Sequence, residues 1–491
     1  MTDISLKNVS FSYYGSLRPI FNQINLSFDT NWKIGLIGRN GIGKTTLLKM
    51  ITKELEYTGV ITNSTTCCYF PPMIKNHDLT CLEIYRQSST EEWKFIRELN
   101  LLGLDLSVLD QPLSLLSPGE RMKVLLGILF TKEDAFVLID EPTNHLDSLG
   151  RKVVSEYLRQ KRQGFMVISH DREFLDGCID HVLSINLNSI EIQSGNYSTW
   201  YRNKLQKDQL EFYENHKLIK EISRLKDASK ETKQWSNRIE NTKNGHKISG
   251  IKPDKGYIGH QSAKMMRKSK NLIKRQEKLI EEKERLLKDI EIQENLFLHP
   301  LNYPKNDFIK VNHLSFNYGD KKIFQDLSFV IRRGDRISIN GANGSGKSTL
   351  FKCLIGKLEI NSTMILKPKD LKISYVPQEL KNLKGSFKEY IRSKEIDETL
   401  CRTLLSKLNI SKDLLESDIE SYSDGQKKKL LLSISLATKA HLYIWDEPMN
   451  YIDVISREQI EKVILDNDIT LIFVEHDNYF KKKIANKNIE L

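Results

Sequence analysis

The sequence predicts an α/β protein of two similar halves joined by a long antiparallel α-helical hairpin. Three observations carry that prediction. A strand, a glycine loop and a helix start occur twice: Ile34–Ile37 leads into Gly38-Arg39-Asn40-Gly41-Ile42-Gly43-Lys44-Thr45-Thr46. Ile337–Ile339 leads into Gly341-Ala342-Asn343-Gly344-Ser345-Gly346-Lys347-Ser348-Thr349. Other landmarks recur at nearly constant distance. Ser117 and Ser423, Asp140 and Asp446, His170 and His476 are each 306 residues apart, Phe11 and Phe316 are 305 apart, and Lys44 and Lys347 are 303 apart, as a tandem duplication requires. Between the copies, Leu205, Phe212 and Ile219 recur every seven residues beside Leu218, Ile222 and Leu225. Leu272/Leu279/Leu286 and Ile273/Ile280/Leu287 form two further heptad rows, the pattern of helices packed along a seam.

These features divide the chain into a first half at 1–200, a helical hairpin at 201–300 and a second half at 301–491. The hairpin turns near 243–261, where Gly245, Gly250, Pro253, Gly256 and Gly259 interrupt the helical pattern. An arm of roughly 40 residues would reach about 60 Å.

Composition narrows the class. The 39% hydrophobic and 28% charged content suits a soluble globular protein. No apolar run reaches the roughly 18 residues of a membrane helix, and the amino terminus MTDISLKNVSF has no signal-peptide pattern. Cys67, Cys68, Cys81, Cys178, Cys353 and Cys401 show no CxxC spacing. They are expected as free thiols in a reducing cytoplasm.

Charge is concentrated in the hairpin. Residues 216–275 carry 17 Lys/Arg against 5 Asp/Glu, a balance of +12, while the whole chain is +11, so everything outside that window sums to −1. A basic rod is an electrostatic footprint for nucleic-acid phosphates. The alternative is a solvated linker whose lysines confer only solubility.

The chemistry starts at the glycine loops. Glycines let successive backbone N–H groups curl around phosphates, and the helix that follows favours negative charge at its start. Lys44 and Lys347 reach the terminal phosphates, while Thr45 and Ser348 offer an oxygen to magnesium. The cofactors implied are ATP and Mg²⁺. A second metal oxygen is expected from an aspartate ending a buried strand. Phe136–Ile139 runs into Asp140-Glu141, and Leu442–Trp445 into Asp446-Glu447. The glutamates are placed to act as general bases on water. After one more apolar strand come His170 and His476, suited to read the γ-phosphate; the alternative is a pair of exposed histidines after strands.

Leu116-Ser117-Pro118-Gly119-Glu120 and Tyr422-Ser423-Asp424-Gly425-Gln426 resemble the LSGGQ signature of ABC ATPases. Asn144-His145-Leu146-Asp147 resembles that family's D-loop, degraded to Asn450-Tyr451-Ile452-Asp453 in the second copy. The resemblance implies two nucleotide-binding domains paired head to tail within one monomer. One ATP would lie under Gly38, Asn40, Gly41, Gly43, Lys44, Thr45, Thr46, Asp140, Glu141 and His170, capped by Ser423 and Gly425. The other would lie under Gly341, Asn343, Gly344, Gly346, Lys347, Ser348, Thr349, Asp446, Glu447 and His476, capped by Ser117 and Gly119. Tyr13 and Tyr318 match the positions that stack on adenine, and Gln378 matches the Q-loop glutamine that offers an oxygen to magnesium. Three residues depart from the pattern. Pro72 stands where the first copy should have that glutamine, and Pro118 and Asp424 replace signature glycines. The reading that follows is two hydrolysing sites of unequal rate.

With the basic hairpin, Glu141–Asp147 (EPTNHLD) and Gly195-Asn196-Tyr197-Ser198, the chain resembles the ABC-F subfamily over its whole length. Both copies place 45 residues between the Q-loop position and the signature serine (72 to 117; 378 to 423), and 15 residues follow His476. This short arm, the lack of a carboxy-terminal extension and the long loop resemble the antibiotic-resistance ribosome-protection branch, whose group acts against lincosamides, streptogramin A compounds and pleuromutilins. The resemblance implies a cytoplasmic partner of the 70S ribosome, with no membrane. The linker would enter through the tRNA exit site towards 23S rRNA at the peptidyl-transferase centre and P-site tRNA, and hydrolysis would drive release. Lys243, His246, Lys252, Lys255, Tyr257, Arg267, Lys268 and Lys270 are the expected rRNA contacts. Tyr257 would stack on a base or, alternatively, pack locally near Met265 and Met266. A housekeeping translation factor and the twin ATPase of a membrane importer are the competing readings. A chromosome-organising ATPase would carry its coiled coil inside one ATPase domain.

Overall fold

The computed structural model describes residues 3–14, 19–144, 146–186, 189–242, 264, 267–268, 270–275, 278–279, 300–319, 321–342, 344–358, 363–380, 383–394, 396–408, 410–411 and 414–491. The chain divides into two compact units. Met1–Trp200 and Gln293–Leu491 together form the first, and Tyr201–Ile292 the second. Both copies of the repeat thus lie in one unit.

Among the described residues each half follows one plan. In the first half a sheet runs in the order Thr66–Phe70, Ala135–Asp140, Phe165–Ile168, Lys33–Gly38, His181–Ile185, Ile190–Ser194, parallel except for the last strand. In the second half the parallel order is Ile373–Val376, Leu442–Asp446, Leu471–Val474, Arg336–Asn340, Lys487–Glu490. Strands such as Phe165–Ile168 are buried at every position, which is why they read as unbroken apolar runs rather than alternating ones. A small antiparallel sheet covers each main sheet, with Asp3–Phe11 central in the first half and Asp307–Tyr318 in the second.

The helix after each glycine loop lies between these sheets. In the first half Leu47, Leu48 and Ile51 pack with Ile4, Leu6 and Phe28 from one sheet and Ile34 and Leu36 from the other. Leu350, Phe351 and Leu354 do the same with Val311, Leu314 and Ile337. This apolar clamp holds each loop at the carboxyl ends of the parallel strands, where open α/β sheets bind ligands. A further helical core in the second half joins Phe387, Leu404 and Leu430 to Trp445 and Phe473. All six cysteines are unpaired thiols.

The helix Tyr197–Thr242, which belongs to the second unit from Tyr201 on, is 46 residues long, and the described residues of 264–279 are helical. Its packing corrects one sequence expectation. Leu205, Phe212 and Ile219 are 42%, 55% and 50% exposed, and Leu272 and Leu279 are 50% and 45% exposed, whereas Ile222 is 6% exposed and Leu218 and Leu225 are half-buried. Neighbouring residues on a helix differ by about 100°. The covered stripe therefore follows Leu218, Ile222 and Leu225, at steps of four and three, and the heptad row one residue away faces water.

Candidate active site

Each glycine loop opens a cavity closed by the other half. The first, about 410 Å³, is lined by Tyr13, Asn40, Gly41, Gly43, Lys44, Thr45, Thr46, Asp140, Glu141 and His170 from the first half, and by Ser423, Gly425 and Tyr451 from the second. The second, about 680 Å³, is lined by Gly344, Gly346, Lys347, Ser348, Thr349, Gln378, Glu447 and His476, with Ser117, Pro118 and Gly119 opposite.

Local chemistry explains the shape of each wall. Gly43 and Gly346 cap their helices at φ 103° and 98°, where a side chain is strained. A Cβ on Gly43 would also come within 2.5 Å of Ile20. Lys44 Nζ donates to the carbonyls of Gly38 and Arg39 at 2.8 and 3.0 Å, and Lys347 Nζ donates to those of Gly341 and Ala342 at 2.9 and 2.8 Å. Each ammonium is folded back over its own loop, and burial lowers the pKa of both.

Glu141 and Glu447 share a backbone feature: both are left-handed, at φ 51° and 48°. Such a non-glycine conformation costs energy and clusters at functional sites. In each case the backbone N–H is held by the neighbouring strand, Glu141 by Ile168 O at 2.9 Å and Glu447 by Val474 O at 3.0 Å. The turn aims the carboxylates at the histidines. His170 Nε2 is 3.2 Å from Glu141 Oε1, and His476 Nε2 is 3.5 Å from Glu447 Oε1.

The two carboxylates differ in their surroundings. Burial, then the adjacent Asp140 charge, pushes Glu141 up to about 8. Burial also acts on Glu447, but the hydrogen bond and charge of His476, with Gln378, outweigh it and hold its pKa below the usual value. Asn450 Nδ2 donates to Glu447 Oε2 at 2.6 Å. Beside them, Asp140 Oδ2 accepts from Thr45 Oγ1 at 2.7 Å and from Tyr69 OH at 3.0 Å. Asp446 is buried, and among the described residues no donor lies within 3.5 Å of its carboxylate oxygens in hydrogen-bonding geometry, although the Ser348 hydroxyl is near enough to oppose the effect of burial. Burial pushes Asp446 up to about 6. An unsatisfied buried carboxylate beside a hydroxyl-bearing glycine loop suits a divalent cation.

The family model of the ABC transporter matches residues 21–144 and 324–450, one stretch in each half. The chain belongs to the ABC transporter family. Its tandem domains bind ATP and Mg²⁺ and hydrolyse ATP, and with likeness to F-family proteins along nearly its whole length it is an ABC-F ATPase. ABC transporter F family member 2 of Arabidopsis thaliana is 26% identical over 551 residues, covering 99% of this chain and 76% of that protein. Ribosome protection protein VmlR of Bacillus subtilis (strain 168) is 25% identical over 497 residues, covering 99% and 86%. Among solved structures, an archaeal ribosome recycling factor, in complex with the ribosomal stalk protein aP1, has a TM-score of 0.63 at 19% identity, covering 98% and 87%. That likeness is one of fold. Among the described residues, no helix of this ABC-F protein is long and apolar enough to cross a membrane.

The structure of this ABC ATPase brings most of the sequence-derived site residues together. Gly38, Gly341 and Asp446 lie behind the cavity walls rather than in them. Tyr318 packs its ring edge-on against Phe316, with centroids 5.0 Å apart, as Tyr13 packs on Phe11 at 4.9 Å, but it is not among the residues lining the second cavity, where Ile323 stands. Tyr13 does line the first, with its hydroxyl 3.0 Å from Thr46 Oγ1. Asn343 and the linker residues Lys243, His246, Lys252, Lys255 and Tyr257 lie outside the described residues, whereas Arg267, Lys268 and Lys270 are helical and exposed.

The irregular signature residues have a local rationale. Pro118 is the first residue of the helix Pro118–Phe130, capped by Ser117 and Glu120. There a missing N–H costs the helix nothing. Asp424 starts the helix Asp424–Ala437 in the same way and is exposed outside the cavity wall that Ser423 and Gly425 form. The cavity residues Asn144 and Asn450 fall in the D-loop-like segments that the sequence showed. Tyr451, in the same D-loop-like segment, was not singled out as a site residue: it reaches the first cavity with its backbone, whose carbonyl accepts from Asn40 Nδ2 at 2.8 Å.

Proposed function

We propose that this ATPase is a ribosome-binding factor of translation, held on the ribosome by ATP and released by hydrolysis. The observation that supports it is a pair of cavities closed across the two halves in a chain that also carries a 46-residue helix and an exposed basic helical stretch. Closure by ATP would change the halves' arrangement, and the basic helices supply contacts for RNA phosphates. Two proteins it resembles, VmlR and the archaeal recycling factor, are named for the ribosome.

In this reading Thr45 with Asp140, and Ser348 with Asp446 and Gln378, hold magnesium. When bound there, it would supply positive charge against the phosphates. Lys44 and Lys347 bind the terminal phosphates. Glu141 and Glu447 each accept a proton from the attacking water, oriented by His170 and His476. Ser423 with Gly425, and Ser117 with Gly119, close over the γ-phosphates from the opposite half.

Drug protection is the second reading, favoured by the likeness to a ribosome protection protein and by the short interval before each signature. In that case the linker would enter through the exit site and act at the peptidyl-transferase centre through Lys243–Tyr257.

The test replaces Glu141 and Glu447 together by Gln. ATP binding is retained, turnover falls by about 100-fold or more, and the variant co-sediments with 70S ribosomes in ATP. Unchanged turnover, or no accumulation on ribosomes, overturns the reading. Susceptibility of a sensitive bacterium expressing the parent chain to lincosamides and pleuromutilins decides between translation factor and drug protection.

A further inference from the structure

Lys428 is a lysine where lysine is unusual. It lies inside the helix Asp424–Ala437 and is 1% exposed. Its ammonium donates to the carbonyl of Pro377 at 3.0 Å and to that of Asp446 at 3.2 Å. These are the carbonyls immediately before Gln378 and immediately before Glu447. One cation therefore grips the two peptide groups from which the site's glutamine and glutamate project. The side chain of Gln378 lines the same cavity as Glu447 and helps hold its pKa down.

The surroundings are built around that cation. Glu475, 4% exposed, accepts from the N–H of Met449 through Oε1 at 2.6 Å and from the N–H of His476 through Oε2 at 2.9 Å. Glu475 thus braces the segment after Glu447 and the start of the histidine turn, and its charge helps Lys428 remain ionised. Burial lowers the lysine to about 8, opposed by Glu475, Asp446 and Glu447.

The first half has none of this. At the 306-residue offset, Lys428, Met449 and Glu475 correspond to Met122, Thr143 and Ser169. There Thr143 Oγ1 and Ser169 Oγ share a neutral hydrogen bond of 3.0 Å. Pro72 stands opposite Gln378. The clamp and the glutamine it seats are present together in one site and absent together from the other.

We propose that Lys428 is a positioning residue of the Lys347 site: by tying the carbonyls of Pro377 and Asp446 it sets the separation of Gln378 and Glu447, and ATP cleavage there depends on it. The two sites are therefore unequal by construction, and the Lys347 site carries the larger share of turnover. This rests on the roles given above to Glu447 and Gln378.

The test is steady-state ATP hydrolysis by the full chain. Lys428→Met alone removes one of the cations near buried Glu475, leaving Arg457 to oppose its charge, and can fail to fold. The decisive variant is the triple Lys428→Met, Met449→Thr, Glu475→Ser, which installs the first half's neutral set. It is expected to lower kcat by at least about fivefold while KM for ATP stays within about twofold and the melting temperature is kept. Because Lys428 acts through Gln378, Gln378→Ala should cost little more in the triple variant than the triple costs alone, a non-additive cycle. A folded triple variant with parental kcat overturns the proposal. So do a rise in KM matching the fall in kcat, and effects that multiply with Gln378→Ala. Glu447→Gln checks the underlying assignment separately: parental turnover in that variant removes the role of Glu447 itself.

Discussion

Asn40 donates a 2.8 Å hydrogen bond to the carbonyl of Tyr451, which lies 411 residues further along the chain. Gly425 lies against this contact. A Cβ there would be 2.7 Å from Tyr451 O and 3.0 Å from Asn40 Nδ2. The first glycine loop, the D-loop-like turn of the second half and the second signature thus meet within one van der Waals layer.

Gly425→Ala should hold these segments apart. Because the closest atom is backbone, it cannot yield as the tip of a side chain would. Turnover is expected to fall by about tenfold or more, which is about 1.4 kcal/mol of barrier, with the melting temperature nearly unchanged. Parental turnover in Gly425→Ala would show that this contact is not needed for closure.

Arg172 and Asn478 occupy matching places 306 residues apart but join the halves differently. Arg172, buried, pairs with Glu461 at 3.2 Å and stacks 4.5 Å from the Tyr479 ring centroid. Asn478 Nδ2 donates to Glu173 at 2.8 Å and to Ser148 at 3.3 Å. Removing one partner of a buried pair costs about 3–5 kcal/mol, and losing a hydrogen bond to a carboxylate about 1.5–3 kcal/mol, less where it is exposed. Arg172→Ala should therefore destabilise the chain to denaturant more than Asn478→Ala.

Lys429 and Asp453 form a buried ion pair at 2.6 Å. Burial raises the Asp453 pKa, but the Lys429 charge and hydrogen bond outweigh it, so the folded value lies below the usual one. A depressed carboxylate contributes stability that is present above its unfolded pKa of about 3.9 and lost as the pH falls through the folded value. Lys429→Met should cost about 3 kcal/mol near neutrality. That difference should shrink as the pH falls through the pKa of the unpaired Asp453, which burial holds above about 3.9, because that carboxylate then takes up a proton while the paired one stays ionised. Unfolding free energies of both proteins between pH 7 and 3 provide the check.

If the second arm contacts RNA, replacing Arg267, Lys268 and Lys270 by Gln should weaken ribosome binding. The slope of log affinity against log salt should flatten by about 2 to 3, one counterion for each lost phosphate contact. ATP turnover without ribosomes should be unchanged. An unaltered slope assigns these exposed residues to solvent.

The sequence by itself determined the two glycine loops, the strand-ending Asp140-Glu141 and Asp446-Glu447, the signature turns and the 306-residue repeat. Each is a short segment whose residue types and spacing already specify a local backbone and its chemistry. The strands beside these motifs were legible too, because a parallel strand buried on both faces reads as an unbroken apolar run, whereas their order in the sheet was not. Tertiary structure alone decided the rest. A sequence does not show that Asn40 meets Tyr451, because contacts across 411 residues leave no periodicity. Nor does it show that Glu141 and Glu447 take left-handed backbones, since only the neighbouring strand carbonyls of Ile168 and Val474 hold them there. Which stripe of the long helix is covered was not legible, because Leu218 and Ile219 are similarly apolar and only packing chooses between directions about 100° apart. Lys428 is the sharpest case: in a run of three lysines it looks like solvated charge. It is a buried clamp because the chain folds two carbonyls, 51 and 18 residues away, onto its ammonium.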